Sequence, residues 1–253
     1  MKKDSLILGD CLQVMNNIPD RSIDAIICDL PYGVLKKQNP GAKWDCILPL
    51  DQLWEHYLRV AKENAPFILF GQGMFTAKLM MSQPKIWRYN LVWNKVTKTG
   101  FLNSKKQPLR QHEDICIFYR DQPTYHPQMV KGKKHRRDRG MTKCNTYGKF
   151  KPIDTPPSEW YYPTDILTFS KASEVNDSFH PTVKPVALLR YLIRQYTNEG
   201  DTVLDNTMGS GSTCVAAIKE QRHYIGIEKE KKYYDIAESR VLEAKNEVEL
   251  FDD

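Results

Sequence analysis

The sequence lacks the features of a membrane protein, a secreted protein or a disulfide framework. None of its 253 residues belongs to an apolar run near the roughly 18 residues that a membrane span needs. No long apolar region follows the lysines at its start, so a secretory signal is not expected. The six cysteines form no Cys-x-x-Cys pair and have no histidine at zinc-ligand spacing. We therefore expect reduced thiols in a cytoplasmic protein without a metal site.

Positive charge is concentrated in the middle of the chain. Hydrophobic residues make up 41% and charged residues 27%, as in an ordinary folded protein. The net charge is +6, but the segment from Lys95 to Lys143 holds 13 Lys and Arg against 4 Asp and Glu. Such a segment favours a polyanionic partner. The alternative is a solvated loop whose charges only keep the protein in solution.

Strand and helix patterns alternate at both ends of the chain. Apolar runs typical of buried strands end at Leu8, Cys28, Phe70, Asp205 and Glu228. Helical spacing of apolar residues covers 50–65, 186–196, 212–220 and 231–248. This order predicts an α/β fold with a doubly wound, Rossmann-like, mostly parallel sheet and helices on both faces.

The middle of the chain interrupts this alternation. The runs Tyr89–Trp93 and Asp114–Tyr119 predict two strands paired at the edge of the sheet. From Pro123 to Pro163 the chain is rich in Pro, Lys, Arg and Tyr without a clear period, and long segments of this kind are usually functional or disordered. We predict one domain from residues 1–94 and 164–253, and a basic insert from residues 95–163.

A glycine-containing turn follows the predicted strand that ends at Asp205. Gly209 and Gly211 would let the backbone approach a ligand at the carboxyl edge of the sheet. The next apolar strand ends at Glu228, where a carboxylate could accept hydrogen bonds from ribose hydroxyls. Read separately, the glycines could serve a simple turn, and Glu228 could be a helix cap or an exposed charge.

The segment Asp29-Leu30-Pro31-Tyr32 places a carboxylate, a stiff turn and an aromatic ring at the end of a buried strand. Such a site could hold a flat ring that carries an amine, with the ring against Tyr32 and the amine on Asp29. The alternative is an ordinary turn in which Tyr32 packs in the core.

Several ordered motifs resemble those of the beta group of amino-group DNA methyltransferases. Asp29-Leu30-Pro31-Tyr32-Gly33 resembles the Asp-Pro-Pro-Tyr signature, with leucine in place of the first proline. Residues 205–213 resemble the S-adenosylmethionine loop. Weaker matches are Lys43-Trp44-Asp45, Trp93-Asn94-Lys95, His112-Glu113 and His180-Pro181-Thr182-Val183-Lys184-Pro185.

The resemblance implies roles for individual residues. The catalytic turn would be formed by Asp29, Leu30, Pro31 and Tyr32. The S-adenosylmethionine site would comprise Asp10, Cys11, Asp29, Thr182, Lys184, Asp205, Thr207, Gly209, Gly211, Ser212, Thr213 and Glu228. Within it, Asp10 would lie near the adenine, Glu228 at the ribose, and Thr182 and Lys184 near the carboxylate. Phosphates of double-stranded DNA would be contacted by Lys131, Lys133, Lys134, Arg136, Arg137 and Arg139.

The reaction implied is methyl transfer to N6 of a flipped adenine in duplex DNA. The carboxylate of Asp29, where the family tends to have serine for cytosine, favours adenine over N4 of cytosine. Methylation of RNA or of a protein amide, and a catalytically silent nucleic-acid-binding protein, are the alternatives. A prokaryotic or phage source, a homodimer and a cognate restriction endonuclease are further expectations from the resemblance.

Overall fold

The chain divides into a larger and a smaller unit. The computed structural model describes residues 2–33, 45–135, 143–144, 148–149, 156–170 and 183–249. The larger unit contains Met1–His126 and Asp165–Asp253, and the smaller one contains Pro127–Thr164. The smaller unit is shorter than the predicted insert of residues 95–163, because residues up to Phe118 continue the strands of the larger unit.

An eight-stranded sheet forms the centre of the larger unit as far as it is described. Its strands are β1 (Ser5–Leu8), β2 (Ala25–Cys28), β3 (Phe67–Gly71), β4 (Trp87–Thr99), β5 (Arg110–Phe118), β10 (Ile166–Thr168), β11 (Thr202–Asp205) and β12 (His223–Glu228). Their order is β1-β12-β11-β2-β3-β5-β4-β10. Within this sheet β5 runs opposite to its neighbours, and the other pairings are parallel.

Helices cover both faces of the sheet because successive strand residues point to opposite sides. The helices are α1 (Cys11–Val14), α2 (Leu50–Val60), α3 (Met74–Ser82), α4 (Val186–Tyr196), α5 (Ser212–Lys219) and α6 (Lys231–Glu249). The first three pack on one face, around Trp54 and Tyr57. The last three pack on the other, around Leu192 and Ala216. Among the described helices, none combines the length and apolar character needed to cross a membrane.

The predicted doubly wound sheet is confirmed, and two details differ. The strands β4 and β5 do pair, but the short β10 lies outside them and forms the edge. The helix α3 was not predicted from the sequence. Its apolar residues do not fall on one narrow stripe, since Met74 and Met81 are exposed while Phe75 and Leu79 are buried.

The smaller unit contains two short antiparallel ribbons. Strand β6 (Val130–His135) pairs with β9 (Ser158–Tyr161), and β7 (Lys143–Cys144) pairs with β8 (Gly148–Lys149). Three predicted DNA contacts, Lys131, Lys133 and Lys134, are exposed on β6. The other three, Arg136, Arg137 and Arg139, lie outside the described residues.

Candidate active site

The parallel strands bring four acidic residues to one edge of the sheet. Asp29 follows β2, Asp205 and Glu228 end β11 and β12, and Asp10 follows β1. Leu8 is paired with Glu228, and Asp205 with Gly226, so these strand ends are in register. Because ligands of open α/β sheets bind outside the carboxyl ends of the strands, this edge is the candidate site.

A cavity of about 340 Å³ opens at this edge. Its size suits a small molecule or cofactor, since ligand pockets typically run from about 300 to 1,000 Å³. Its lining includes most of the predicted site residues: Asp10, Cys11, Asp29, Leu30, Pro31, Tyr32, Lys184, Asp205, Thr207, Gly209, Ser212, Thr213 and Glu228. Thr182 lies outside the described residues.

Asp29 is held by hydrogen bonds on both of its carboxylate oxygens. The Tyr32 hydroxyl donates to Oδ1 at 2.7 Å, and the Lys184 ammonium donates to Oδ2. The hydroxyl of Thr207 donates to the backbone carbonyl of Asp29 at 3.1 Å. The turn after β2 is therefore fixed to the glycine-containing loop and to the segment before α4.

The ring of Tyr32 is partly exposed and lines the cavity. It packs against Phe75 with ring centroids 5.0 Å apart and a tilt of 31°. The next residue, Gly33, has a left-handed φ of 71° and donates its N–H to the buried Asp45 at 2.9 Å. Tyr32 thus packs against Phe75 and still keeps part of its surface at the cavity.

Lys184 joins Asp29 to two further buried charges. Its Nζ lies 3.4 Å from Oε2 of Glu113, and Oε1 of Glu113 accepts from Nζ of Lys95 at 3.1 Å. The result is an alternating chain of two carboxylates and two ammonium groups. Lys184 also lies near the rings of Phe70, Tyr32 and Trp93, with Nζ 5.1, 5.8 and 6.0 Å from their centroids.

Burial and neighbouring charges shift the pKa values of Asp29 and Lys184 in opposite directions. Burial raises the pKa of Asp29, while the ammonium of Lys184 lowers it, and the net direction is upward. Burial lowers the pKa of Lys184, but the carboxylates of Asp29 and Glu113 outweigh burial and raise it. Burial also raises the pKa of Tyr32, so its hydroxyl stays protonated and donates to Asp29.

The loop after β11 is held by Glu228. Its Oε2 accepts from the N–H of Gly209 at 3.0 Å, and its Oε1 accepts from the N–H of Glu230 at 2.8 Å. Burial raises the pKa of Glu228, and these hydrogen bonds oppose that rise. Glu228 therefore shapes the loop as well as lining the cavity.

Gly211 has a structural reason for being glycine. Its φ is 79°, and a Cβ at this position would lie 2.9 Å from Cβ of Ala237 in α6. Within the described chain Gly211 does not line the cavity, whereas Gly209, Ser212 and Thr213 do. Close packing of the loop on α6 thus accounts for this glycine.

Asp205 and Asn206 lie side by side at the cavity, and both are buried. Burial raises the pKa of Asp205 to about 7, although the N–H of Thr207 donates to its carboxylate at 3.1 Å. Oδ1 of Asn206 accepts from the Tyr57 hydroxyl at 2.6 Å and from Cys28 at 2.8 Å. Its Nδ2 is buried and has no hydrogen-bond partner in the described structure.

Asp10 caps a helix and also lines the cavity. Its Oδ1 accepts from the N–H of Leu12 at 3.0 Å and caps α1, as an ordinary turn residue would. Its side chain is nonetheless exposed at the cavity, where Cys11 is buried beside it. Capping is shown for one carboxylate oxygen of Asp10, so the residue both ends the turn and lines the cavity.

Sequence reasoning did not assign Lys95 and Glu113 to the site. The alternation of side chains along a strand could have identified both residues. Lys95 falls on the same face of β4 as the buried Leu91 and Trp93. Glu113 does the same before Ile115 on β5. A charged residue on the buried face of a strand needs a partner, which each finds in the other.

The family of the chain follows from comparison with known proteins. A DNA methylase family model, that of the N6 and N4 enzymes, matches residues 23–239. The chain belongs to this DNA methylase family. Members take the methyl group from S-adenosylmethionine, as the motifs had implied.

Curated relatives are similar along most of their length. The DNA adenine methyltransferase YhdJ of Escherichia coli (strain K12) is 28% identical over 90% of this chain and 79% of its own. The Type II methyltransferase M.HinfI of Haemophilus influenzae is 26% identical over 98% of this chain and 71% of its own.

Solved structures support the fold. The M1.HpyAVI–SAM complex has a TM-score of 0.65 at 20% identity and covers 94% of this chain and 98% of its own. The cytosine-N4-specific PvuII DNA methyltransferase has a TM-score of 0.68 at 15% identity and covers 98% of this chain and 93% of its own. The chain is therefore a DNA methyltransferase of the N6-adenine and N4-cytosine family with the sheet of that family.

Proposed function

We propose that this DNA methyltransferase transfers the methyl group of S-adenosylmethionine to N6 of an adenine that is flipped out of duplex DNA. The observation that carries the proposal is the fixed carboxylate of Asp29 beside the ring of Tyr32, at the mouth of a cavity sized for a cofactor.

The cavity has the donors and acceptors that S-adenosylmethionine requires. Asp10 and Glu228 offer carboxylate oxygens to amine and hydroxyl groups, and Asp205 offers one to an ammonium group. The buried Nδ2 of Asn206 is a donor that a ligand acceptor or a water could satisfy. When bound, the cofactor supplies a methyl group on a positively charged sulfur.

Asp29 would activate the target amine by accepting its hydrogen bond. The lone pair of an exocyclic amine is delocalised into the ring, so the nitrogen is a poor nucleophile until its geometry becomes tetrahedral. A carboxylate and the backbone carbonyl of Leu30 would both accept from the amine and favour that geometry. Positioning and electrostatics would then supply most of the rate enhancement.

Lys184 would keep Asp29 ionised. We assigned Lys184 to the cofactor carboxylate from the resemblance, but its ion pairs with Asp29 and Glu113 support a different role. A buried Asp29 without a cation would take up a proton and lose its acceptor character. Lys184 is thus a positioning residue that acts through Asp29.

Adenine is preferred over cytosine because position 29 is aspartate. The name of the YhdJ relative agrees with adenine, whereas PvuII is named as a cytosine-N4 enzyme. A base paired in a duplex cannot reach the cavity, so the nucleotide would leave the stack and place its face against Tyr32.

The smaller unit would hold the DNA backbone. Lys131, Lys133 and Lys134 lie exposed along β6, and Trp160 of the paired strand faces Lys131 in register and is 51% exposed. A row of cations with an aromatic side chain is typical of a surface that contacts phosphates and bases.

Methylation mapping tests the proposal. The protein is expressed in a host without DNA methylation, and modified bases are mapped by single-molecule sequencing, with Asp29→Ala as the matched inactive control. We expect N6-methyladenine at one short sequence with the wild-type protein and none with the variant. N4-methylcytosine would reverse the base assignment, and no modified base would overturn the proposed activity.

A further inference from the structure

The turn between β4 and β5 presents two adjacent apolar side chains to solvent. Phe101 is 75% exposed and Leu102 is 84% exposed. Isolated apolar residues on a surface are ordinary, but a neighbouring pair at the tip of a hairpin is a small apolar patch that a partner can cover.

The turn has a defined backbone conformation. Gly100 starts it with a left-handed φ of 91°, and Phe101–Asn103 form a single 3-10 turn. The N–H groups of Asn103, Ser104 and Lys106 donate to carbonyls within the turn at 2.8–3.1 Å. The backbone that carries the two apolar side chains is therefore ordered before any partner arrives, which lowers the entropy lost on binding.

The surroundings of the pair are strongly basic. Between residues 96 and 112 the sequence has Lys98, Lys105, Lys106 and Arg110 and neither Asp nor Glu. All four of these cationic residues are exposed. An exposed apolar pair in a segment with four exposed cationic residues is complementary to a duplex, whose phosphates flank stacked bases.

The turn stands at the rim of the cavity. Arg110, the first residue of β5, lines the cavity and donates to Oε1 of Gln72 at 2.7 Å. The hydroxyl of Thr99 donates to the carbonyl of Arg110 at 3.3 Å and closes the hairpin just before the turn. Glu113, three residues further on, belongs to the buried charge chain that includes Asp29.

We propose that Phe101 and Leu102 form an apolar wedge that enters the duplex beside the target nucleotide. The wedge would occupy the space that the flipped base leaves, and the flanking cations would hold the phosphates on either side. This inference rests on the proposed function, since it concerns how the target base reaches the cavity.

Two synthetic duplexes containing a mapped methylation site test the wedge. In the first the target base is paired, and in the second it stands opposite an abasic position and needs no help to leave the stack. Single-turnover methyl transfer is measured for wild type and for Phe101→Ala/Leu102→Ala. The control is Leu242→Ala, which removes an apolar side chain of α6 that is 61% exposed.

The double variant should lose roughly tenfold to a hundredfold in rate on the paired duplex. On the abasic-opposed duplex its rate should stay within about twofold of wild type, as should the control on both. A Phe101→Trp/Leu102→Met variant should recover most of the loss because it restores apolar volume. Melting temperatures verify that the variants fold.

Equal losses on both duplexes, or no loss on either, would overturn the wedge while leaving the proposed function intact. Should the mapping experiment find no modified base, there is no site from which to build the duplexes, and the proposed function is overturned together with the wedge.

Discussion

Replacing Lys184 with methionine should lower the stability of the protein. Lys184 lies between the carboxylates of Asp29 and Glu113 in the alternating series of buried charges. The side chain of Lys184 is 7% exposed and contacts the carboxylates of Asp29 and Glu113. Methionine has a similar volume and no charge. The variant therefore removes the ammonium group that lies between two buried carboxylates, while Lys95 still pairs with Glu113.

The structure gives the size of the effect. At 3.4 Å the attraction between Lys184 and Glu113 is about 5 kcal/mol for an effective dielectric constant of about 20, and desolvation offsets much of it. Removing one partner of a buried ion pair typically destabilises a protein by roughly 3–5 kcal/mol. For a chain of this size the melting temperature should fall by roughly 10 °C near pH 8.

The pH dependence separates this explanation from simple loss of packing. The ammonium of Lys184 lowers the pKa of Asp29, so its removal raises the pKa of Asp29 further. A raised folded-state pKa makes the ionised carboxylate costly, so the destabilisation should shrink as pH falls and Asp29 takes up a proton. The acidic limb of the methylation rate should move to higher pH for the same reason.

Two further variants complete the experiment. Lys184→Met/Glu113→Gln restores electrical neutrality and should recover much of the lost stability. Lys219→Met removes a partly exposed ion pair with Glu247 and should cost about 1 kcal/mol or less. Melting temperature and methyl transfer from pH 6 to pH 9 are measured for all three. If Lys184→Met melts and reacts like wild type, or if adding Glu113→Gln lowers the melting temperature further, Lys184 does not stabilise the buried carboxylates.

Three other changes test the site and the smaller unit. Asp29→Ala removes one partner of Lys184, so it should lower the melting temperature but still fold, and it should lose roughly 10²–10³ in methyl transfer. Tyr32→Phe should lose roughly tenfold because its hydroxyl donates to Asp29. Normal rates in a radiolabelled methyl assay would contradict both. Because the pKa of Asp205 is raised to about 7, its ionisation destabilises the folded protein as pH rises from about 4 to 7, so Asp205→Asn should gain melting temperature relative to wild type between pH 5 and pH 8. Parallel melting curves would exclude that ionisation. Replacing Lys133 and Lys134 with alanine should lower the salt slope of DNA binding by roughly one per lost phosphate contact, and an unchanged slope would make them a solvated face.

The sequence predicted the elements whose local pattern and tertiary packing agree. The helix predicted over 186–196 is Val186–Tyr196, and the strand predicted over 202–205 is Thr202–Asp205. Buried runs in a parallel sheet are apolar on both faces, which makes them visible without any structure. The short edge strand β10 was missed because three residues with one buried side chain carry little pattern.

The sequence alone also determined that the acidic residues meet at one edge. Asp29, Asp205 and Glu228 each follow or end an apolar run, and parallel strands have their carboxyl ends together. The direction of each strand and the position of its last residue follow from the local pattern of apolar residues, so the sequence is enough to predict them.

Only the tertiary structure decided which charged groups form ion pairs and which parts of the backbone pack closely. Lys184 is 155 positions from Asp29, and their ion pair exists only because the fold brings these distant residues together. Gly211 is explained by its approach to Ala237, and the paired charges of Lys95 and Glu113 by the register of β4 with β5. Contacts between residues that are distant in sequence arise from packing. A single sequence shows both residues but does not show that they are in contact.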